Sequence, residues 1–267
     1  MPLRAPSVGR RIAAAAARLR VDRQPTPAGE RLLKAFAAAY PAAVFVEVGA
    51  NDGDQHDHIA ALIREHSWRG VMVEPVPYVF ARLSRNYGGV ERVALENAAI
   101  ADTDGHRAFY HLAPVADHVQ EGLPQWYDGI GSFSRTAVVD HARLIPDIER
   151  RLVETDVPCL TFESLCEKHG LTDVDLVVVD TEGYDHEIVR NIDFARFRPA
   201  LVVYEHYHLP IGQRHATRDL MHVSGYRTMP EGFDTWCVHR DADPRLTQTW
   251  HALRPAFPEL TVHDEPR

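Results

Sequence analysis

Cysteine is scarce in this sequence. Its three residues, Cys159, Cys166 and Cys237, are odd in number and form no C-x-x-C pair. That argues against a disulfide framework, and the thiols read as buried groups in a reducing, cytoplasmic compartment. Also missing is an apolar run of about 18 residues, the length that spans a bilayer, so no transmembrane segment is expected. Basic charge is in deficit, with 29 lysines and arginines against 38 acidic residues and a net charge of −9. A broad basic face for nucleic acid is thereby disfavoured. What is present is ordinary for a globular chain, with 45% hydrophobic and 25% charged residues. Over 267 residues this supports one large domain whose core requires neither metal nor disulfide.

The basic residues that do occur are concentrated at the start. Residues 1–24 carry Arg4, Arg10, Arg11, Arg18, Arg20 and Arg23 against Asp22, a charge of +5 that leaves −14 for the remainder. A twin-arginine export signal at Arg10-Arg11 is rejected, because Arg18 and Arg20 interrupt a short apolar stretch. Residues 1–27 read instead as a basic arm whose alanine run, Ala13 to Ala17, anchors little. A single domain is expected over 28–267.

Within it, helical and buried-strand patterns alternate. Glu30 to Tyr40 has helical periodicity, and Val44 to Val48 is an apolar run that stops at Gly49. A loop framed by Gly49 and Gly53 follows, as at the first ligand-binding turn of an α/β sheet. His58 to Trp68 reads as a helix, Val71 to Val73 as a strand, Pro77 to Asn86 as a helix and Val90 to Leu95 as a strand. Arg107 to His111 suits an edge strand after the Asp104-Gly105 turn. An irregular insertion, 112–157, is rich in glycine, proline and aromatics, as substrate lids often are. Leu160 to His169 reads as helix, Asp175 to Asp180 as a strand covered on both faces, and Tyr184 to Ile192 as helix. Ala200 to Tyr204 is another strand, and Gln213 to Val223 a helix. Tyr226 to Met229 and Thr235 to Val238 form a closing antiparallel pair, and the last 25 or so residues show no firm pattern. The fold class is α/β, a doubly wound sheet.

Polar residues gather where these strands end: Gly49 to Asn51, Glu74, Glu96-Asn97, Asp180 to Glu182 and Glu205-His206. Buried strands have no structural need for acids at one common end, and ligands of open parallel sheets bind outside the strand carboxyl ends. A pyrophosphate would be repelled by Asp52, Asp54 and Asp57 in the glycine loop. S-adenosylmethionine, with its sulfonium and ammonium, is better served by those acids. Glu74, 25 residues beyond Gly49, is placed to hold its ribose diol, and the adenine amine would find an acceptor near Asn97.

Together, Val44 to Gly53, Glu74-Pro75, Asn97-Ala98-Ala99, Leu160 to Glu163, Asp180-Thr181-Glu182-Gly183 and Glu205-His206 resemble the FkbM-type S-adenosylmethionine-dependent methyltransferases. The resemblance runs from Val44 to His208. It implies the class I methyltransferase, Rossmann-like fold, a seven-stranded, mostly parallel sheet with an antiparallel last strand. It implies methyl transfer to oxygen of a sugar or other small-molecule hydroxyl. By position it assigns the cofactor to Glu47, Gly49, Ala50, Asn51, Gly53, Glu74, Pro75, Asn97, Ala98 and Asp180. Two departures stand out: the D-x-E-G-x-E pattern ends here in Asp185, and Val178 replaces a lysine common before the aspartate.

Transfer to a hydroxyl needs alignment and removal of a proton. His206, His208 and Asp180 are the candidate catalytic bases. Alternatively, Asp180, Glu182 and Glu205 form an oxygen-ligand set suited to Mg²⁺, which would bind a diol and acidify it. Glu182 has a simpler role open to it, capping the helix after Gly183. Trp126, Tyr127 and Phe133 suggest a ring-stacking wall for the acceptor, with Ser132 and Ser134 as closing groups or plain turn residues. An NAD(P)-dependent oxidoreductase and a catalytically inactive cofactor-binding module share the fold and remain alternatives.

Overall fold

The computed structural model describes residues 26–54 and 57–260. The basic arm expected over 1–27 lies, up to residue 25, outside the described residues. The chain runs α1 (Ala28–Ala39), β1 (Val44–Val48), α2 (Ala60–Glu65), β2 (Arg69–Val73), α3 (Pro77–Tyr87), β3 (Val93–Glu96), β4 (Ala99–Ile100) and β5 (Gly105–Leu112). Then come β6 (Gly131–Ser132), α4 (Arg135–Val139), α5 (Ile148–Arg151), β7 (Leu152–Leu160), α6 (Phe162–Lys168) and β8 (Leu176–Val179). The chain closes with α7 (Asp185–Arg190), β9 (Leu201–Glu205), α8 (Ile211–Val223), β10 (Tyr226–Glu231), β11 (Asp234–His239) and α9 (Pro244–Ala252).

The main sheet has seven strands in the order β10-β11-β9-β8-β1-β2-β3. The pairs from β9 through β3 are parallel, whereas β11 runs antiparallel to both β9 and β10. This is the Rossmann-like sheet with an antiparallel last strand that the resemblance implied. Alternation along β1 explains why both faces must be covered: Val44, Val46 and Val48 join one apolar layer and Phe45 joins the other. The first layer packs on Phe162, Leu165, Ile188 and Met221 from α6, α7 and α8. The second packs on Leu32, Phe36, Ile63 and Leu83 from α1, α2 and α3, with Leu246 of α9 closing it. Each such side chain contributes roughly 1.5–3 kcal/mol on burial. Glu47 shares the Phe45 side and is buried there, a charge-bearing group inside the layer.

A second sheet, in the order β4-β7-β5-β6, stands apart from the first. Its spine is the antiparallel pair β5–β7, in register from Gly105↔Cys159 to Leu112↔Leu152. The residues between carry the insertion outward from the end of this hairpin. The sequence pattern places 152–157 in the irregular insertion and starts the next helix at Leu160, whereas the strand runs over Leu152–Leu160 and the helix starts at Phe162. Solvent-facing Glu154 and Asp156, and Pro158 in mid-strand, disguise β7. Pro158 is tolerated because a strand of a small, half-exposed sheet can lose one donor. The helix expected over 58–68 forms only at Ala60–Glu65, since Asp57 Oδ1 accepts from the Ile59 and Ala60 amides (2.6 and 2.9 Å) and starts it late. The patternless tail contains α9, begun by Asp243, whose side chain accepts from the Arg245 amide at 2.8 Å.

Candidate active site

The loop after β1 is bound into the sheet by its own backbone. Gly49 and Ala50 both donate to the Val73 carbonyl at 3.0 Å. Gly49 has φ +83°, and a Cβ there would lie 1.7 Å from the Asp180 carbonyl oxygen. Only glycine fits the seam between β1 and β8, the point where strand order reverses and open sheets bind ligands. Asn51 follows with φ 49°, and its amide donates to Glu74 Oε2 at 3.1 Å. Gly53 has no room either, since a Cβ would meet Tyr87 and Leu83 at 2.5 and 2.8 Å.

Glu74, at the end of β2, is buried, and its two carboxylate oxygens are treated alike. Oε1 accepts from the Val76 amide at 2.8 Å and Oε2 from Asn51. Burial raises its pKa to about 8 against the pull of those two amides. Each oxygen keeps acceptor capacity toward the cavity that Glu74 lines. Asn97 works from behind: its side-chain amide donates to the Glu74 and Pro75 carbonyls at 2.8 and 3.1 Å.

Below the loop, Glu47 and Asp57 form a second acidic pair. Burial first, and then the Asp57 carboxylate, push the Glu47 pKa well above the usual range. His58 beside them pairs with Asp234 across β11, Nε2 to Oδ2 3.1 Å, and stacks edgewise on Trp236. Sequence periodicity missed His58, because it had been absorbed into a helix.

The opposite wall is built at the ends of β8 and β9. Asp180 opens to solvent through the cavity; enclosure by the protein, and then the charges of Glu205, Glu182 and Asp185, push its pKa well up. Glu182 takes φ 54°, the left-handed region. Asp185, which closes the motif, is buried and knits the turn: Oδ2 accepts from Thr181 Oγ1 at 2.9 Å and from the Gly183 amide at 3.3 Å. Its own pKa rises to about 7 through burial. Nδ1 of His208 lies 3.0 Å from Glu182 and 3.1 Å from both Glu205 oxygens. Burial alone would lower the His208 pKa, but the two carboxylates outweigh it and raise it to about 11.

A cavity of ≈ 180 Å³ joins these walls. Of the sequence-derived candidates, Glu47, Gly49, Ala50, Asn51, Glu74, Pro75, Ala98, Asp180 and Glu182 line it. Gly53 and Asn97 support it from the second layer, and Glu205 and His208 sit behind Glu182. His206 is not brought to the cavity. It is fully buried, with Nδ1 3.0 Å from Thr235 Oγ1 and Nε2 4.0 Å from Glu259. His206 is thus sealed in the core, and His208 is turned away from the cavity with its Nδ1 between the Glu182 and Glu205 carboxylates.

The insertion supplies the roof. Gln125, Trp126, Gly129, Ser132 and Phe133 line the cavity, whereas Tyr127 is buried within the insertion's own apolar cluster. Ser134 faces away as the cap of α4, accepting from the Ala137 amide. Asp128 is the fastening point. It accepts from Tyr78 Oη at 2.9 Å, pairs with Arg82, and lies 3.0 Å from His118 Nε2. Nothing in the sequence marks Asp128, since Tyr78 and Arg82 are 46–50 residues away on α3.

The Methyltransferase FkbM domain matches residues 47–228, more than half of the chain. None of the curated proteins matches. Among solved structures, a methyltransferase FkbM from Methylobacillus flagellatus KT is similar at 10% identity, covering 74% of this chain and 44% of that one, TM-score 0.44. The chain thus spans less than half the length of that structure. A methyltransferase from Geobacter sulfurreducens is similar at 13% identity over 88% of this chain and 90% of its own, TM-score 0.39. A ribosomal protein L11 methylase from Lactobacillus delbrueckii subsp. bulgaricus is similar at 9% identity over 78% and 74%, TM-score 0.39. With the sequence match running from the buried Glu47 to the closing strand pair, the chain belongs to the FkbM methyltransferase family.

Proposed function

We propose that the protein transfers a methyl group from S-adenosylmethionine to an oxygen of a small-molecule acceptor, a sugar or secondary metabolite. The observation that carries this reading is Glu74. A buried carboxylate, one amide on each oxygen, faces the cavity beside a glycine loop that leaves no room for a Cβ. That cradle fits a vicinal diol, and the acidic walls fit a cationic ligand better than a pyrophosphate. When bound, S-adenosylmethionine supplies an electrophilic methyl on a sulfonium.

The residues of the chain then divide the work. Glu74 holds the ribose hydroxyls, and Asn97 holds the Glu74 and Pro75 backbone in place. Ala98 and Val76 give the adenine an apolar wall. Trp126 and Phe133, from the insertion, cover the acceptor end and exclude water. Asp180 is the group suited to take the acceptor proton. Its pKa is pushed up by enclosure and by the neighbouring carboxylates, which strengthens it as a base, and it lines the cavity.

Calorimetry with S-adenosylhomocysteine tests the reading. Binding to the wild-type protein, at least tenfold weaker in Glu74→Ala, with no binding of NAD, is expected; equal affinity in Glu74→Ala would overturn it. Methyl transfer to an acceptor hydroxyl, lost in Asp180→Asn with cofactor affinity retained, would establish catalysis and rule out an inactive binding module.

A further inference from the structure

Behind the acceptor end of the cavity, side chains from three separate segments converge. His141 comes from the insertion, Glu182 from the turn after β8 and His208 from the turn after β9. One nitrogen or carboxylate oxygen from each lies within 4.8 Å of the others. We infer that His141, Glu182 and His208 form a binding site for a divalent transition-metal ion, with an open face toward the cavity. This is a different ligand set from the all-carboxylate one that sequence suggested at Asp180, Glu182 and Glu205, and it favours a different metal. Two imidazoles and one carboxylate suit Mn²⁺, Fe²⁺, Co²⁺ or Zn²⁺, whereas Mg²⁺ prefers oxygen donors alone.

Three observations beyond proximity support the site. First, His141 Nδ1 lies 3.2 and 3.3 Å from the Ala137 and Val138 carbonyls. That contact places the ring proton on Nδ1 and leaves Nε2 as a lone-pair donor, the outer-shell arrangement usual for metal-bound histidine. Second, His208 Nδ1 lies 3.0 Å from Glu182 Oε2, and both Glu205 oxygens lie 3.1 Å from the same nitrogen, so a cation taking the place of the Nδ1 proton would meet two carboxylates. Third, Glu182 both belongs to the trio and lines the cavity, as does Trp126, which packs against His141 with ring centroids 5.7 Å apart. An ion held here would meet the cavity contents with its open coordination positions, and would clamp the insertion to the ends of β8 and β9. On the methyltransferase reading, on which this role rests, those positions would bind an acceptor oxygen and lower its pKa.

The test uses the full chain without a histidine tag, stripped of metal by chelation. Titration with Co²⁺, read by visible d–d absorption, and with Zn²⁺, read by calorimetry, should show one equivalent bound and a rise in melting temperature. His141→Ala and His208→Ala should each weaken Co²⁺ and Zn²⁺ by about tenfold or more. Where a histidine variant melts lower without metal, Glu182→Gln provides the same comparison at a solvent-reaching position. No stoichiometric ion, or an ion bound as tightly in His141→Ala as in wild type, would overturn the site. Mg²⁺ binding at wild-type strength in His141→Ala would do so in favour of the carboxylate set. Because these readouts need no cofactor, a failure of S-adenosylhomocysteine to bind would count against the methyltransferase reading alone.

Discussion

At the scale of single residues, the site is defined by groups whose environments oppose their ordinary charge. Glu74 shows this most plainly. Its pKa is raised by burial to about 8, so the folded protein holds a proton that the unfolded chain, near 4.5, has released. The stability that this proton brings is present at low pH and is lost as pH rises from about 5 to about 8. Wild-type melting temperature should therefore fall relative to Glu74→Gln across that window, measured by thermal scans of the cofactor-free proteins. A parallel pair of curves would contradict the assignment. Cofactor affinity should move the opposite way, rising toward pH 9 as the carboxylate ionises, with no such rise in Glu74→Gln. Gly49 is constrained by geometry rather than charge. Gly49→Ala combines a left-handed φ with a Cβ 1.7 Å from a backbone oxygen. Urea denaturation should show a loss of about 3 kcal/mol or more, with cofactor binding abolished.

Among the elements, the insertion and the hairpin that carries it decide what the acceptor meets. The second sheet projects 113–151 over the strand ends, and Asp128 binds that segment to Tyr78 and Arg82 of α3. Asp128→Ala leaves a tyrosine, an arginine and His118 without this acceptor. A cost on the order of 2 kcal/mol is expected, because Arg82 keeps some solvent contact. The sharper readout is limited proteolysis. The segment should be cut faster, and acceptor KM should rise more than cofactor Kd. Unchanged cleavage would mean that the apolar cluster around Tyr127 and Ile145 alone seats the roof.

For the whole molecule, the two ends of the described chain are tied together at Glu231 on β10. Its carboxylate accepts from the Ala28 and Gly29 amides that start α1, at 3.0 and 2.8 Å, and from the Ala256 amide at 2.6 Å. A buried acid at a helix N-terminus satisfies donors that the helix cannot. Packing confirms the tie, since Gly29 lies so close to Trp236 that a Cβ would be 2.1 Å from its ring. Glu231→Ala should cost about 2–3 kcal/mol, shared among three orphaned amides, and lower the urea midpoint without changing cofactor affinity in the fold that remains.

The order of strands, the turn at Gly49 and Gly53, and the acids at Glu47, Glu74 and Asp180 were legible in the linear chain. Those features are local: an apolar β-branched run, a glycine that ends it, a carboxylate where the next run stops. Other features have no local signature. The strand Leu152–Leu160 hides behind a half-exposed alternation and a proline, and Asp128 acts through partners on another helix. The histidines make the contrast clearest. His206 and His208 stand two apart after the same strand, and sequence treated them as equal candidate bases. Their surroundings separate them, one sealed against Thr235 in the core, the other turned between Glu182 and Glu205. A histidine's charge depends on the groups that fold around it, and those groups come from segments far apart along the chain.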